Sequence, residues 1–325
     1  MNKLLDYGEA WALPVVTVLI CIFFSVLPAT YDVFPTAANF QAIAGSQAIL
    51  LIATLAVLVP LVCREFDLSV GSNLGLCAVM SASAMEGGSS LGVAIAISVG
   101  IGLGVGVING LLVTVARVNG VIVTLGTTLL LQGAALAKTD GRSITSGISP
   151  DLVEFGSGTT FGVPRILFAA LFIALVVYFV LGHTPFGRRL YMIGANPDAA
   201  RLVGARNEHL LFASFAIAGF LAGIGGILFV GQLGSADPSA GDLLTLPALA
   251  GGFLGAAAIS PGRFNVWGSA VAITFLAVLN GGLNLVGAAS YFSQLVNGAA
   301  LIVGVSLAVL LGRRRDPEAR TLSGM

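Results

Sequence analysis

Apolar residues run through this chain in long blocks, broken by short polar stretches that carry most of its charge. The blocks do not alternate, as strands of a closed barrel would, and about 20 consecutive apolar residues suffice to cross a bilayer as a helix. Ten spans are placed, at approximately 11–30, 47–63, 69–86, 91–116, 119–137, 165–182, 210–232, 245–260, 266–287 and 291–312. The expectation is an all-α integral membrane protein, a single transmembrane domain over 1–325. The N-terminal block reads as the first span rather than a cleaved leader, because Lys3 is offset by Asp6 and Glu9 and no good small-residue cleavage site follows.

Composition sharpens this. Hydrophobic residues make up 57% of the chain and charged residues 9%; mean hydropathy is +0.99. Soluble domains carry about 25% charged residues, so lipid is the solvent expected for most of the surface. The formal net charge of +0 points to no nucleic-acid partner. Cys21, Cys63 and Cys77 have no metal-type spacing and read as buried thiols. His183 and His209 stand alone. No nucleophile–base pair and no cofactor motif is found.

Placement of the cations sets the orientation. With the N-terminus in the cytoplasm, only Lys138, Arg142 and Arg165 of the 15 Lys and Arg fall outside. Both termini are then cytoplasmic, with a tail over 313–325. The longest extramembrane stretches are an outside loop, about 138–164, and an inside loop, about 183–209. Neither is large enough for an independent domain.

Overlapping G-x-x-x-G spacings at Gly100, Gly102, Gly104, Gly106 and Gly110, and again at Gly219 and Gly223, let helices approach closely where no hydrophobic drive exists. They read as packing.

The inside loop holds a punctuated short helix, about 197–203. Asn196 caps it, Pro197 fits its first position, Asp198 suits the positive end of the dipole, Arg201 lies toward the last turn and Gly204 ends it. So short a helix needs external support. It reads either as a helix lying on the membrane or as a rigid knob for a partner, with Leu190, Tyr191, Ile193, Leu202 and Val203 as apolar anchors and Arg188, Arg189 and Arg206 as charge.

The link Arg64-Glu65-Phe66-Asp67 is costly in lipid unless paired or wetted. Asp67 either caps the next helix, a role worth about 1 kcal/mol, or marks a broken helix on a water-filled path. Polar residues inside spans are candidates for a path: Ser72, Asn73, Asn109, Thr124, Gln132, Asn280 and Asn284. The set is rich in amides and hydroxyls, and this placement puts no acid or base deep in a span. A neutral polyol suits it better than a zwitterion. Each residue also fits a plain helix–helix hydrogen bond.

Four segments in order resemble the permeases of ribose-type ABC importers, the sugar branch of a family shared with branched-chain amino acid permeases. They are Phe66-Asp67-Leu68-Ser69-Val70-Gly71; Asn109-Gly-Leu-Leu-Val113 with Ile122-Val-Thr-Leu-Gly126; the loop Thr184-Pro-Phe-Gly187-Arg188 with Ile193-Gly-Ala-Asn196-Pro197-Asp198-Ala-Ala-Arg201-Leu-Val-Gly204; and Asn280-Gly281 with the Gln294 region. The resemblance covers roughly 47–310. The chain departs from the family at Arg64-Glu65-Phe66, where Gly-Gly-Ile is usual, and across Leu246–Phe253 and Ser260–Arg263, which bears on cargo more than on class.

The resemblance implies a bacterial cytoplasmic (inner) membrane subunit that pairs with a second permease copy, identical or related. It implies ATP-binding subunits seated on the coupling loop at 188–206, and an extracytoplasmic substrate-binding protein. This chain has no G-x-x-x-x-G-K-[ST] phosphate loop. ATP and Mg are therefore expected on the partner ATPase subunits and no cofactor on this chain. The cargo expected is a simple sugar. Other cargoes kept open are branched-chain amino acids, nucleosides or another small polar solute. An ion-coupled secondary transporter and a membrane scaffold without transport are the other classes.

Overall fold

A computed structural model of the chain describes residues 2–289 and 291–315, with side chains from 10 to 289 and from 291 to 311. Lys3 and the arginines of the tail, which weigh in the orientation above, lie outside the described side chains.

The helices in chain order are α1 (Asn2–Val26), α2 (Ala37–Leu61), α3 (Val70–Glu86), α4 (Leu91–Thr114), α5 (Gly120–Thr139), α6 (Pro150–Ser157), α7 (Arg165–His183), α8 (Pro185–Ala195), α9 (Pro197–Leu202), α10 (Asn207–Leu233), α11 (Asp242–Gly255), α12 (Val266–Leu285) and α13 (Tyr291–Arg315). Two short strands, β1 (Thr159–Thr160) and β2 (Val163–Pro164), form an antiparallel hairpin after α6. Among the described residues, seven helices are long and apolar enough to cross a bilayer, namely α2, α4, α5, α7, α10, α12 and α13. Ala10–Val26 within α1 and Asp242–Gly255 are shorter apolar helices, and α3 has 17 residues.

Several boundaries differ from the sequence reading. The second helix begins at Ala37 rather than near 47, because the polar Asn39, Gln41, Ser46 and Gln47 ride on one helix instead of a loop. The stretch 138–164 contains α6 and the hairpin. The stretch 183–209 holds two helices, not one. The eighth expected span, 245–260, becomes α11, which starts at Asp242 and stops at Gly255. Beyond it, Ala256–Arg263 is a series of tight turns rather than helix, with Ile259 at φ +60° and Gly262 at φ +80°.

The chain divides into two compact units, residues 48–245 and residues 1–47 with 246–325. In the first, α3, α4, α5, α6 and α10 enclose a core that includes Val79, Ala82, Ala135, Leu152 and Val230. The α4–α10 seam is built on glycine: a Cβ on Gly102 would lie 2.5 Å from the Gly219 carbonyl oxygen and 2.6 Å from Gly223 Cα. Ser98 Oγ closes the seam by donating to the Gly223 carbonyl at 2.7 Å. Gly100 and Gly104 face open space instead, so of the overlapping spacings only one register carries the contact. In the second unit, Phe24, Phe34 and Val278 form a buried cluster.

Candidate functional site: a clamped helix break, a two-helix loop and a half-length helix

The link between α2 and α3 is non-helical, so its backbone groups need partners that lipid cannot offer. Two of its carbonyls find them on α5. Thr124 Oγ1 donates to the Phe66 carbonyl at 3.3 Å and to that of Gly120 at 2.9 Å. Thr128 Oγ1 donates to the Leu68 carbonyl at 3.0 Å. Asp67 is buried, and its Oδ1 accepts both the Ser69 backbone N–H (3.0 Å) and the Ser69 hydroxyl (2.6 Å). Asn109 Nδ2 in turn donates to Ser69 Oγ at 2.9 Å, and Thr127 Oγ1 donates to Asn109 Oδ1 at 2.7 Å. The motif Asp67-Leu68-Ser69-Val70-Gly71 is thus a polar knot fixing where α3 begins. Asp67 closes the turn ahead of the helix, while Ser69 holds the N-cap position. Burial pushes the Asp67 carboxyl above the usual range against the pull of the Ser69 bonds, and burial also raises Glu65.

The remaining in-span polar residues separate. Asn73 Nδ2 donates to the Gly102 carbonyl at 3.2 Å and its Oδ1 accepts Cys77 Sγ–H at 3.5 Å. Gln132 is half-buried on α5. Asn280 Nδ2 donates to Asn297 Oδ1 at 3.3 Å, leaving Asn280 Oδ1 buried without a partner, and Asn284 is exposed.

The loop between α7 and α10 is built from caps. Thr184 Oγ1 accepts the Gly187 N–H at 3.2 Å and opens α8 with Pro185 in its first turn. Asn196 ends α8 through its N–H to the Met192 carbonyl, and its Oδ1 accepts the N–H groups of Asp198 and Ala199, both at 3.0 Å, to start α9. Gly204 at φ +83° ends α9. Arg201 pairs with Asp198 at 3.8 Å on the surface, and Asn207 Nδ2 donates to the Pro197 carbonyl at 2.8 Å, tying α9 to the start of α10.

The two helices share the work expected of one. Leu190 and Ile193 of α8 are buried, and Gly187 and Gly194 lie against the backbones of Leu181 and Val62, where a Cβ would overlap. Cys63 Sγ–H reaches the Leu190 carbonyl at 3.7 Å. Leu190 and Ile193 are therefore anchors to this chain, not to a partner. Leu202 and Val203, at 89% and 72% exposure, are the free apolar pair, with Arg188, Arg189, Arg201 and Arg206 exposed around them.

A break that is clamped from both sides and a self-braced loop with an apolar tip fit a membrane subunit moved by another protein. The matching family model, described as the branched-chain amino acid transport system permease component, covers residues 39–305. The chain belongs to this family. The permease is 37% identical over 252 residues to the ribose import permease of Bacillus subtilis, spanning 77% of each chain. It is 30% identical over 252 residues to the ribose import permease of Haemophilus influenzae, spanning 77% of this chain and 78% of that one. It is also 30% identical over 284 residues to an autoinducer 2 import permease of Photorhabdus laumondii, spanning 87% of this chain and 85% of that one. No solved structure matches. The permease is accordingly a multi-pass membrane component of a bacterial ABC importer and not itself an ATPase.

One site the sequence reading missed. With span eight at 245–260, Asp242 falls in the outside loop and no acid lies deep in the membrane. The structure corrects this. Ser72 Oγ donates to Asp242 Oδ1 at 2.7 Å, and the next residue, Asn73, is bonded to Gly102 at the midpoint of α4. The chain from Gly234 to Gly241 descends beside α3 until a Cβ on Gly241 would lie 2.5 Å from Gly75 Cα. Helix α11 then begins level with the middle of α4. Gly241-Asp242 is a recognisable helix start, with an acid in the first turn; only its depth was not legible.

Proposed function

We propose that this permease carries a simple sugar inward, received from an extracytoplasmic binding protein and driven by ATP-binding subunits seated on the loop 183–209. The observation that carries the reading is the exposed Leu202–Val203 tip on a loop whose Leu190 and Ile193 are buried in its own bundle. A lever needs a braced base and a free contact, and this loop has both. Gly187, Arg188, Asn196, Pro197, Asp198, Arg201 and Gly204 shape it. ATP and Mg belong to the partner subunits. A second copy of this chain or a related permease completes the path. Relatives named for ribose import favour a sugar. Relatives named for autoinducer 2 import favour, as a second reading, another small polar solute.

Of the in-span polar residues, Asn109, Thr124 and Asn73 have protein partners at every short contact given above. Their proposed role is to hold the wall of the path. Gln132, Asn280 and Asn284 are, each taken singly, the proposed contacts to cargo.

The test is reconstitution of the permease with its ATP-binding subunits in liposomes and supply of a sugar-loaded binding protein. ATP-dependent uptake of ribose or a related sugar supports the reading. Uptake that continues after ATP depletion with the proton gradient retained refutes the ATP-driven class. Uptake of leucine in place of sugar refutes the cargo.

A further inference from the structure

Asp242 is held by Ser72, next to the Asn73 contact with Gly102 at the middle of the apolar helix α4, and its surroundings do not neutralise it. Ser72 Oγ–H holds Oδ1. None of the three ion pairs among the described residues includes Asp242, and its Oδ2 has no hydrogen-bond partner among them. The side chain is half-buried, while Leu243 beside it is 72% exposed. A half-exposed carboxylate facing hydrocarbon at that depth is costly, so such residues face a water-filled cavity. The positive end of the α11 dipole helps hold the charge there.

A second observation points to a ligand. Thr245, one turn along α11, is 8% exposed and its Oγ1 has no hydrogen-bond partner. That oxygen lies against Gly71, next to Ser72, the residue that holds Asp242. A buried hydroxyl without a partner is destabilising. The seam around it is lined by Gly71, Gly75 and Gly241, which supply backbone and no side-chain bulk. An unspent carboxylate oxygen and an unspent hydroxyl therefore sit within one turn of each other on a helix start.

We propose that Asp242, with Ser72 and Thr245, forms a hydroxyl-binding station in the translocation path, and that Asp242 is a specificity-determining residue for polyol cargo. A carboxylate oxygen accepts two hydroxyl donors at once. Thr245 can donate and accept, and Ser72, its proton held by Asp242, can accept, which matches the vicinal hydroxyls of a sugar. A metal cation is the poorer occupant: a hard cation takes six or more oxygens, and among the described residues no group of three or more His, Cys, Asp or Glu exists to hold one. The inference rests on the sugar-import reading.

Two measurements test it. In a chain with Cys21, Cys63 and Cys77 replaced by Ser, Asp242→Cys is treated with a small, membrane-impermeant thiol reagent. Labelling is expected, because the position lines water. Complete resistance under conditions that label an exposed control, Leu202→Cys, overturns the path assignment whatever the cargo. In the reconstituted transporter, Asp242→Leu is expected to lower sugar uptake at least tenfold. Asp242→Glu should restore part of it, and Asp242→Asn should flatten the preference for ribose over deoxyribose, with assembly of each variant checked by co-purification of the ATP-binding subunit. Wild-type uptake and preference in Asp242→Leu overturn the station. A wild-type transporter that moves no sugar fails the function reading alone, and the labelling result still stands.

Discussion

Gly102 on α4 and Gly219 on α10 face each other so closely that a Cβ on Gly102 would fall 2.5 Å from the Gly219 carbonyl oxygen. The obstacle is backbone, which cannot swing aside as a side chain does. Gly102→Leu with Gly106→Leu is expected to abolish a monodisperse, folded protein, since overpacking with no yielding neighbour costs about 1–3 kcal/mol or more per site. Gly104→Ala, in open space on the same helix, should leave the size-exclusion profile unchanged. A monodisperse double variant would remove the packing argument.

Asn196 caps α9 with two backbone bonds at 3.0 Å, so Asn196→Ala is expected to cost about 1 kcal/mol locally. The bundle should survive and the lever should loosen. Purified transporter carrying this change should still hydrolyse ATP while moving less cargo per ATP. An unchanged transport-to-hydrolysis ratio would show that α9 does not transmit force.

Leu202→Glu and Val203→Glu should leave thermal stability within about 0.5 kcal/mol, as exposed surface changes do, and should prevent co-purification of the ATP-binding subunit. Leu190→Ala, at a fully buried position, should cost about 2–5 kcal/mol. The opposite pattern, with stability lost at Leu202 and capture retained, would reverse the roles assigned to the two helices.

The Asp67 carboxyl is raised by burial, so its protonated form is favoured in the fold. That contribution to stability is full below the unfolded carboxylate pKa and is lost as pH rises through the raised folded value. Asp67→Asn keeps an acceptor for the Ser69 N–H and hydroxyl but cannot ionise. Melting temperature in detergent, followed upward from pH 4, should fall less for the variant than for the wild type. Parallel curves would show that Asp67 does not titrate with folding.

Hydropathy alone determined that the permease is a helical membrane protein, because lipid forces backbone bonds to close within helices wherever apolar blocks are long enough. Local chemistry determined α9 as well: Asn196, Pro197 and Gly204 each act within one turn, so their meaning is legible without the fold. Order of motifs was enough to suggest the family.

Contacts between distant segments were not legible. The sequence offers G-x-x-x-G in two registers on α4, and only packing against α10 selects Gly102 and Gly106 over Gly100 and Gly104. Asn109 and Thr124 read equally as path residues or as helix–helix hydrogen bonds; only the fold shows that Ser69 and the Phe66 carbonyl, far along the chain, are their partners. Depth was the largest miss. Asp242 sits among Gly, Pro and Ser in a stretch that reads as an outside loop. It is the descent of that stretch along Gly71 and Gly75 that carries the acid level with the middle of α4, because depth is set by where a segment packs and not by its own polarity.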